Sequence, residues 1–310
     1  MEKNYIPQLK QILQASGITQ RALAERLGVT FAALNRWLRG HATPHPKKIQ
    51  SIEKLYRELV EYPAYDEMAI REIAELAEKN RKRGIWKWIS GHEGAQDDLL
   101  LEHTYNSTAI EGTTFNKHET EAVIFGKKIL PDKSLVEHLE VTNHATVLKR
   151  ILQGEYNEPL SESLLQELQY GLLQGIRQDA GHYSRHLRAI RGVDIALTHP
   201  KDIPEEMRHL IQRWKRHKKI TLREIGLFHI EFELVHPFGD GNGRAGRLVM
   251  ALQCLQQSFP PVIIENARKA EYYDVLEYAQ RKSEGPFISF LANELANTFK
   301  ILKKYKFTAL

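Results

Sequence analysis

His236-Pro237-Phe238-Gly239-Asp240-Gly241-Asn242-Gly243-Arg244-Ala245-Gly246-Arg247 is the stretch from which the rest of this 310-residue chain can be read. Before it, Leu222, Ile225, Phe228, Phe232 and Val235 recur at helical spacing, which predicts an amphipathic helix over Thr221 to Val235. Pro237 ends that helix, because the residue before a proline is pushed out of the α region. A second apolar helix starts near Gly243 and carries Leu248, Val249, Leu252 and Leu255. The Gly-Asn-Gly turn therefore falls at a helix N-terminus, where free N–H groups and the positive dipole end favour phosphate. Gly241 and Gly243 let the backbone approach an anion closely.

The side chains on this loop add the rest of a phosphate site. Asp240 is one hard carboxylate, which suffices for Mg²⁺ when phosphate oxygens and water complete its shell. Arg244 and Arg247 are three apart and share a helix face. Their guanidinium forks suit phosphate oxygens. His236 titrates near neutrality in its unperturbed state and fits the role of general base. Taken singly, His236 reads as a structural histidine and Asp240 as a turn residue; their coincidence in twelve residues carries the argument. The chain has no Gly-x-x-x-x-Gly-Lys-Ser/Thr loop, and its glycines follow a helix rather than a strand, which counts against a dinucleotide fold.

The loop resembles the signature of the Fic family, His-x-Phe-x-(Asp/Glu)-Gly-Asn-Gly-Arg-x-x-Arg, at all eight fixed positions. The resemblance implies an all-α domain with one β-hairpin flap, and it implies ATP with Mg²⁺ as the bound species. His236 would deprotonate a Ser, Thr or Tyr hydroxyl of a target protein, the target oxygen would attack the α-phosphorus, and AMP would stay on the target as pyrophosphate leaves. Asn242 and the amides of Gly241 and Gly243 would stabilise charge on the α-phosphate. Asp240 would hold the metal and Arg247 the γ-phosphate, while Arg244 would contact phosphates or brace the loop. The same resemblance puts a tyrosine of the expected helix Glu265 to Ala279 near the adenine, Tyr272 or Tyr273; spacing alone makes both of them core aromatics.

Upstream, Asp97 to Glu111 reads as a helix opened by two aspartates and closed by Gly112. Ser107 and Glu111 lie four apart on one face. Glu111 then sits in the last turn, where a carboxylate opposes the dipole unless a cation is near. Ser107-x-x-x-Glu111-Gly112 resembles the inhibitory motif (Ser/Thr)-x-x-x-Glu-(Gly/Asn) of Fic proteins. That resemblance implies that Glu111 pairs with Arg247 and takes the place of the γ-phosphate, leaving ATP a non-productive pose. A solvated glutamate at a helix end is the plainer reading of the same spacing.

Between Gly181 and Pro200, Leu187–Arg191 and Val193–Leu197 flank Gly192 with β character. This resembles the Fic flap, which clamps a target backbone by strand addition; Ser184 between Tyr183 and Arg185 departs slightly from the family's Gly-x-Tyr/Phe-Arg opening. A surface hairpin without that role fits the residues too.

Residues 1–60 form a separate module, with Glu61-Tyr62-Pro63-Ala64-Tyr65 as the hinge and a helix from Asp66 to Arg81 beyond it. Helices are expected over Tyr5–Ala15, Gln20–Leu27 capped by Thr19, and Phe31–Leu38 capped by Thr30, with glycines between them. The run from Thr19 to Gly40 resembles the phage-repressor-like helix-turn-helix family. This module holds ten basic and four acidic residues, a net +6; the other 34 basic and 35 acidic residues nearly cancel, so the chain's whole excess of +5 sits at its front. That distribution suits contact with DNA phosphates. Phe31, Ala32, Asn35 and Arg36 face the groove in this reading, and Arg39, Lys47 and Lys48 touch phosphates. Specific recognition would imply a homodimer; a helical protein-binding module is the alternative.

Residues 61–310 make up the Fic region. A 42% apolar fraction supports an ordinary core. No apolar run is long enough for a membrane helix, Met1-Glu2-Lys3-Asn4 opens no signal peptide, and one cysteine, Cys254, cannot form an internal disulfide, so a reducing cytoplasmic setting is expected. No Cys/His cluster has zinc spacing. Three functions stay open on the residues: AMP transfer restrained by Glu111, AMP removal with Glu111 orienting a water, and a DNA-binding regulator whose Fic domain senses nucleotide. The target, which could be the protein itself, is not legible.

Overall fold

The computed structural model describes residues 5–61, 66–81, 84–188 and 196–307. Two compact units divide between Tyr65 and Asp66. The first contains α1 (Tyr5–Ser16), α2 (Gln20–Arg26), α3 (Phe31–Leu38) and α4 (Pro46–Tyr56), followed by a π-helical turn, Arg57–Glu61. That turn carries the unit past residue 60; of the expected hinge, 62–65 lie outside the described residues. Thr19 and Thr30 begin α2 and α3 by accepting hydrogen bonds from the amides of Ala22 and Ala33, both at 3.2 Å. Between them Gly28 adopts φ +60°, which disfavours a side chain. Leu9, Ile12, Leu23, Leu34 and Ile52 are fully buried and, with Trp37, form the small core. Each such side chain contributes about 1.5–3 kcal/mol by leaving water. The arrangement leaves one face of α3 open: Phe31, Ala32, Arg36 and Arg39 are exposed and Asn35 is half-buried. Lys48 does not share that freedom, since its Nζ donates 2.6 Å to the carbonyl of Leu27 at the end of α2. It ties the unit together and is withdrawn from the phosphate-contacting set.

The second unit contains α5 (Glu67–Arg81), α6 (Ile85–Ser90), α7 (Glu93–Glu111), α8 (Lys117–Ile124), α9 (Leu135–Gln153), α10 (Glu162–Leu173), α11 (Ile203–Arg216), α12 (Leu222–Val235), α13 (Asn242–Gln256), α14 (Lys269–Arg281) and α15 (Gly285–Lys303), with a 3₁₀ turn, Asn266–Arg268, before α14. Capping boxes start three of them, at Asn116/Glu119, Ser134/Glu137 and Thr221/Glu224. Thr221 is thus the cap of α12, not its first residue. α13 is the axis of the domain: Arg244 through Leu255 are all buried, and α7, α9, α10 and α12 pack around it. A helix covered on every side is expected to be apolar throughout; burying Arg244 and Arg247 there is the exception that marks the site.

Helix α7 begins four residues before Asp97, at Glu93, because Gly94 acts as a packing residue and not as a helix breaker. A Cβ on Gly94 would come 2.9 Å from Tyr305 Cε1, so the glycine admits the tyrosine ring. α14 begins at Lys269, after the 3₁₀ turn, and not at Glu265. Among the described residues the extended pairing is a single antiparallel bridge, Tyr183 to Phe238. The expected hairpin falls mainly on residues 189–195, outside the described residues; Leu187, Arg188, Ala196 and Leu197 beside them are not strand. No described helix is long and apolar enough to cross a membrane.

Candidate active site

The loop from His236 to Gly241 joins α12 to α13, and several separate ties hold it. His236 ends α12 in the left-handed conformation, φ +48° and ψ +58°, instead of the extended one that a following proline favours. Phe238 is fully buried against Phe232 and Tyr183 and anchors the loop in the core. Asn242 closes it: Oδ1 accepts from the Phe238 amide and Nδ2 donates to the Phe238 carbonyl, both at 2.9 Å. This corrects the expected role of Asn242. Its buried side chain is committed at both ends to the loop, so its own backbone N–H, with those of Gly243 and Arg244, is what it can offer an anion at the start of α13.

Gly241 takes φ +73° against Leu173, a position closed to most side chains. Gln169 on α10 supports the loop from beneath: Nε2 donates 3.0 Å to the Asp240 carbonyl, and Oε1 accepts from the Gly181 amide. Ser184 N donates 2.8 Å to the Pro237 carbonyl, which stitches the root of the expected flap to the loop.

The arginines divide the expected labour. Arg244, nearly buried, donates from Nη1 to Glu140 Oε1 on α9 at 2.5 Å and lies 3.4 Å from Asp240. It braces the loop. Arg247, 2% exposed, donates from Nε to Ser107 Oγ at 2.9 Å, and from Nη2 to the Ser107 carbonyl at 2.9 Å and Glu111 Oε1 at 2.7 Å. The cation demanded by a carboxylate at the end of α7 is therefore Arg247. A Cβ on Gly243 would run into Glu111 Oε1 and Arg247 Nη1. The Glu111 carboxylate is lodged against the first turn of α13, where the backbone suits an anion. Burial works to raise its pKa, but Arg247, with Arg244 and Lys269, outweighs burial and holds the carboxyl below its ordinary range.

Asp240 is about half exposed; its Oδ1 accepts 2.6 Å from the Gly241 amide. A lone, accessible carboxylate beside a helix N-terminus fits Mg²⁺ held jointly with phosphate oxygens. It does not fit an all-protein metal cage, and among the described residues no group of three or more His, Cys, Asp or Glu could form one. His236 is 19% exposed at its side chain. Burial, then the charge of Arg188, lowers its pKa to about 4, against smaller upward contributions from Glu233, Glu111 and Asp240. The imidazole is consequently neutral at physiological pH and able to accept a proton.

Glu111, Glu233, His236, Gly243, Arg247, Tyr272 and Tyr273 border one cavity of about 80 Å³. The two tyrosines differ. Tyr272 is 1% exposed and its hydroxyl lies 2.8 Å from His229 Nε2, so it is a core residue with one edge at the cavity. Tyr273 is only partly buried and is the better placed to meet a base ring.

Four residues at this site carry no motif. Glu140 and Gln169 lie more than 70 residues from the loop positions they touch, so no spacing points to them. Glu233 is three residues before His236 on the same helix face, which spacing does reveal. Arg188, from the flap root, donates to the carbonyls of His186 at 3.1 Å, Thr198 at 2.5 Å and Val235 at 3.4 Å. It links both arms of that segment to the residue preceding His236. Removing this cation makes the imidazolium easier to form. Arg188→Ala is therefore expected to raise the His236 pKa by roughly one unit, read by NMR titration of the imidazole. An unmoved titration would disconnect Arg188 from His236.

Comparison with known proteins finds likenesses for both units. Residues 159–254 match the model of the Fic/DOC family, and residues 9–61 match a helix-turn-helix model. The first span includes the whole loop but not Glu111, whose role rests on geometry. The chain is 26% identical over 213 residues to "Protein adenylyltransferase Fic" of Aedes aegypti, covering 64% of this chain and 41% of that protein. It is 29% identical over 197 residues to "Protein adenylyltransferase fic-1" of Caenorhabditis elegans, covering 61% and 38%. The chain spans less than half the length of these curated relatives. Its fold matches a solved fragment of Fic-1 from C. elegans, with TM-score 0.64, 23% identity, and 92% and 85% of the two chains covered. It also matches a Fic-domain-containing signaling protein from Bacteroides thetaiotaomicron, with TM-score 0.61, 24% identity, and 73% and 98% covered.

Proposed function

We propose that this chain, which carries a Fic domain behind a helix-turn-helix module, is a protein adenylyltransferase held inactive by its own Glu111. One observation carries the reading: the Glu111 carboxylate lies 2.7 Å from Arg247 and against Gly243, at the first turn of the helix built to receive phosphate. A γ-phosphate on Arg247 has to displace it. The 80 Å³ cavity agrees, being far smaller than the roughly 300–1,000 Å³ of ligand-sized pockets.

In the active state the N–H groups at the start of α13 and the Arg247 guanidinium orient the triphosphate. Asp240 is the residue to hold Mg²⁺, which when bound neutralises charge on the phosphate oxygens. Nε2 of neutral His236 takes the proton from a Ser, Thr or Tyr hydroxyl. That oxygen forms the new bond to the α-phosphorus, the α–β bridging bond breaks, and pyrophosphate carries away the electron pair. The side chains of Arg244, Glu140, Gln169 and Asn242 keep the loop in place.

Intact-mass measurement after incubation with ATP and Mg²⁺ tests the reading on the wild type, Glu111→Gly and His236→Ala. Gain of one AMP mass in Glu111→Gly supports self-modification. Absence of gain in every variant, repeated with candidate protein targets, rejects transfer and favours AMP removal or nucleotide sensing.

The N-terminal module binds DNA in this proposal, through the exposed face of α3, with Arg36 toward bases and Arg39 toward a phosphate. Arg39→Ala is expected to weaken binding alike on unrelated duplexes and to lower the slope of log K against log salt by about 0.9, one counterion's worth. An unaltered slope would take Arg39 off the DNA surface.

A further inference from the structure

Glu233 is a glutamate with no assigned duty in the most guarded part of the domain. Its side chain is 7% exposed, and its Oε1 has no hydrogen-bond partner. A Cβ on Gly246 would lie 2.6 Å from that oxygen, so the second glycine of the loop's helix makes room for this carboxyl. Its other oxygen, Oε2, lies 3.7 Å from Nδ1 of His236, and that nitrogen is also buried without a partner. A buried ring nitrogen without a partner is costly. A shift of under one ångström would bring Oε2 within hydrogen-bond distance of Nδ1, and catalytic contacts commonly tighten in this way once substrate binds.

We propose that Glu233 is a positioning residue for His236, a buried carboxyl that accepts the Nδ1 proton and leaves Nε2 bare toward the incoming hydroxyl. The inference rests on the transferase reading. The Glu233 backbone carbonyl also faces the ring. When Nε2 takes the hydroxyl proton, the imidazolium forms beside Glu233, whose ionised form stabilises it without itself taking the proton, as the carboxylate of a Ser-His-Asp triad does.

The surroundings set the charge on this carboxyl. Arg247 on α13, Glu111 on α7, His229 on the same helix, and Tyr272 and Tyr273 on α14 face Glu233. Arg188, Glu111 and Asp240 face His236. Burial raises the Glu233 pKa to about 8, Arg247 opposes the rise, and the like charge of Glu111 adds to it. Withdrawing Glu111 therefore makes Glu233 easier to ionise, so the inhibitory residue and the general base are linked through it.

The test uses the full chain carrying Glu111→Gly, with and without Glu233→Gln. The expected results are a kcat lower by roughly 10- to 100-fold with KM for ATP unchanged, and loss in Glu233→Gln of a rate limb that rises with pH at or below pH 8. Ring nitrogen shifts of His236 should report the Nδ1–H tautomer in the Glu233 protein. Glu233→Asp should restore part of the rate, which a variant that fails to fold would not allow. Unchanged kcat and pH profile in Glu233→Gln, or an Nε2–H tautomer with Glu233 intact, would overturn the inference while leaving the transferase reading in place. If the Glu111→Gly parent labels neither itself nor any target, that reading fails first and this inference fails with it.

Discussion

Glu111→Gly is expected to raise AMP transfer by roughly 10- to 100-fold over the wild type in a time course followed by intact mass. A hydrogen bond to a charged group contributes about 1.5–3 kcal/mol, and each 1.4 kcal/mol is about a factor of ten. The wild-type nucleotide has to break the 2.7 Å contact between Glu111 and Arg247 before its γ-phosphate can use that arginine. Glycine removes the competitor and leaves Arg247 held by both Ser107 contacts, so the guanidinium stays aimed. The substitution falls on the last residue of α7, where glycine's helix penalty matters least. Equal turnover in variant and wild type would strip Glu111 of its inhibitory role. Loss of AMP removal from a pre-modified protein, with no gain in transfer, would instead make Glu111 the residue that orients a hydrolytic water.

His236→Ala is the second large effect. A positioned general base contributes about 10²–10⁴-fold, so transfer in the Glu111→Gly background should drop by that factor while ATP affinity holds. The separation follows from geometry: the groups offered to the triphosphate are at the start of α13 and on Arg247 of the same helix, and His236 lies at the end of α12. Position 236 has φ +48°, a region that histidine enters more readily than alanine, so a slightly lower melting temperature is expected alongside. Asparagine tolerates that region better, and His236→Asn should keep the fold and still lose the rate. Substantial transfer by a folded His236→Asn protein would move the base elsewhere. Intact cellular function in that variant would favour a nucleotide sensor.

Helices were legible where an apolar period meets a terminal signal, such as Thr221 before α12 and Thr30 before α3. α7 was misjudged at its start, since Asp97 and Asp98 look locally like an opening signal while the helix already runs from Glu93. Asn242 was misassigned for a related reason. An amide in a phosphate-binding turn suggests a ligand, whereas two hydrogen bonds to Phe238 make it a clasp. Tyr272 and Lys48 likewise had their polar ends engaged inside the protein.

By itself the sequence determined the all-helical class, a break between a front unit and the rest, and the charge that sets the front unit apart. All of these rest on residues within a few turns of one another, where periodicity and spacing act directly. Tertiary structure alone decided which groups are free. Glu111 meets Arg247 across 136 residues, Glu140 meets Arg244 across 104, and Gln169 meets Asp240 across 71. Burial then decided the charges, holding His236 neutral and pushing Glu233 up to about 8. Desolvation and long-range pairing depend on what lies on every side of a group, and chain order records only its neighbours along the backbone.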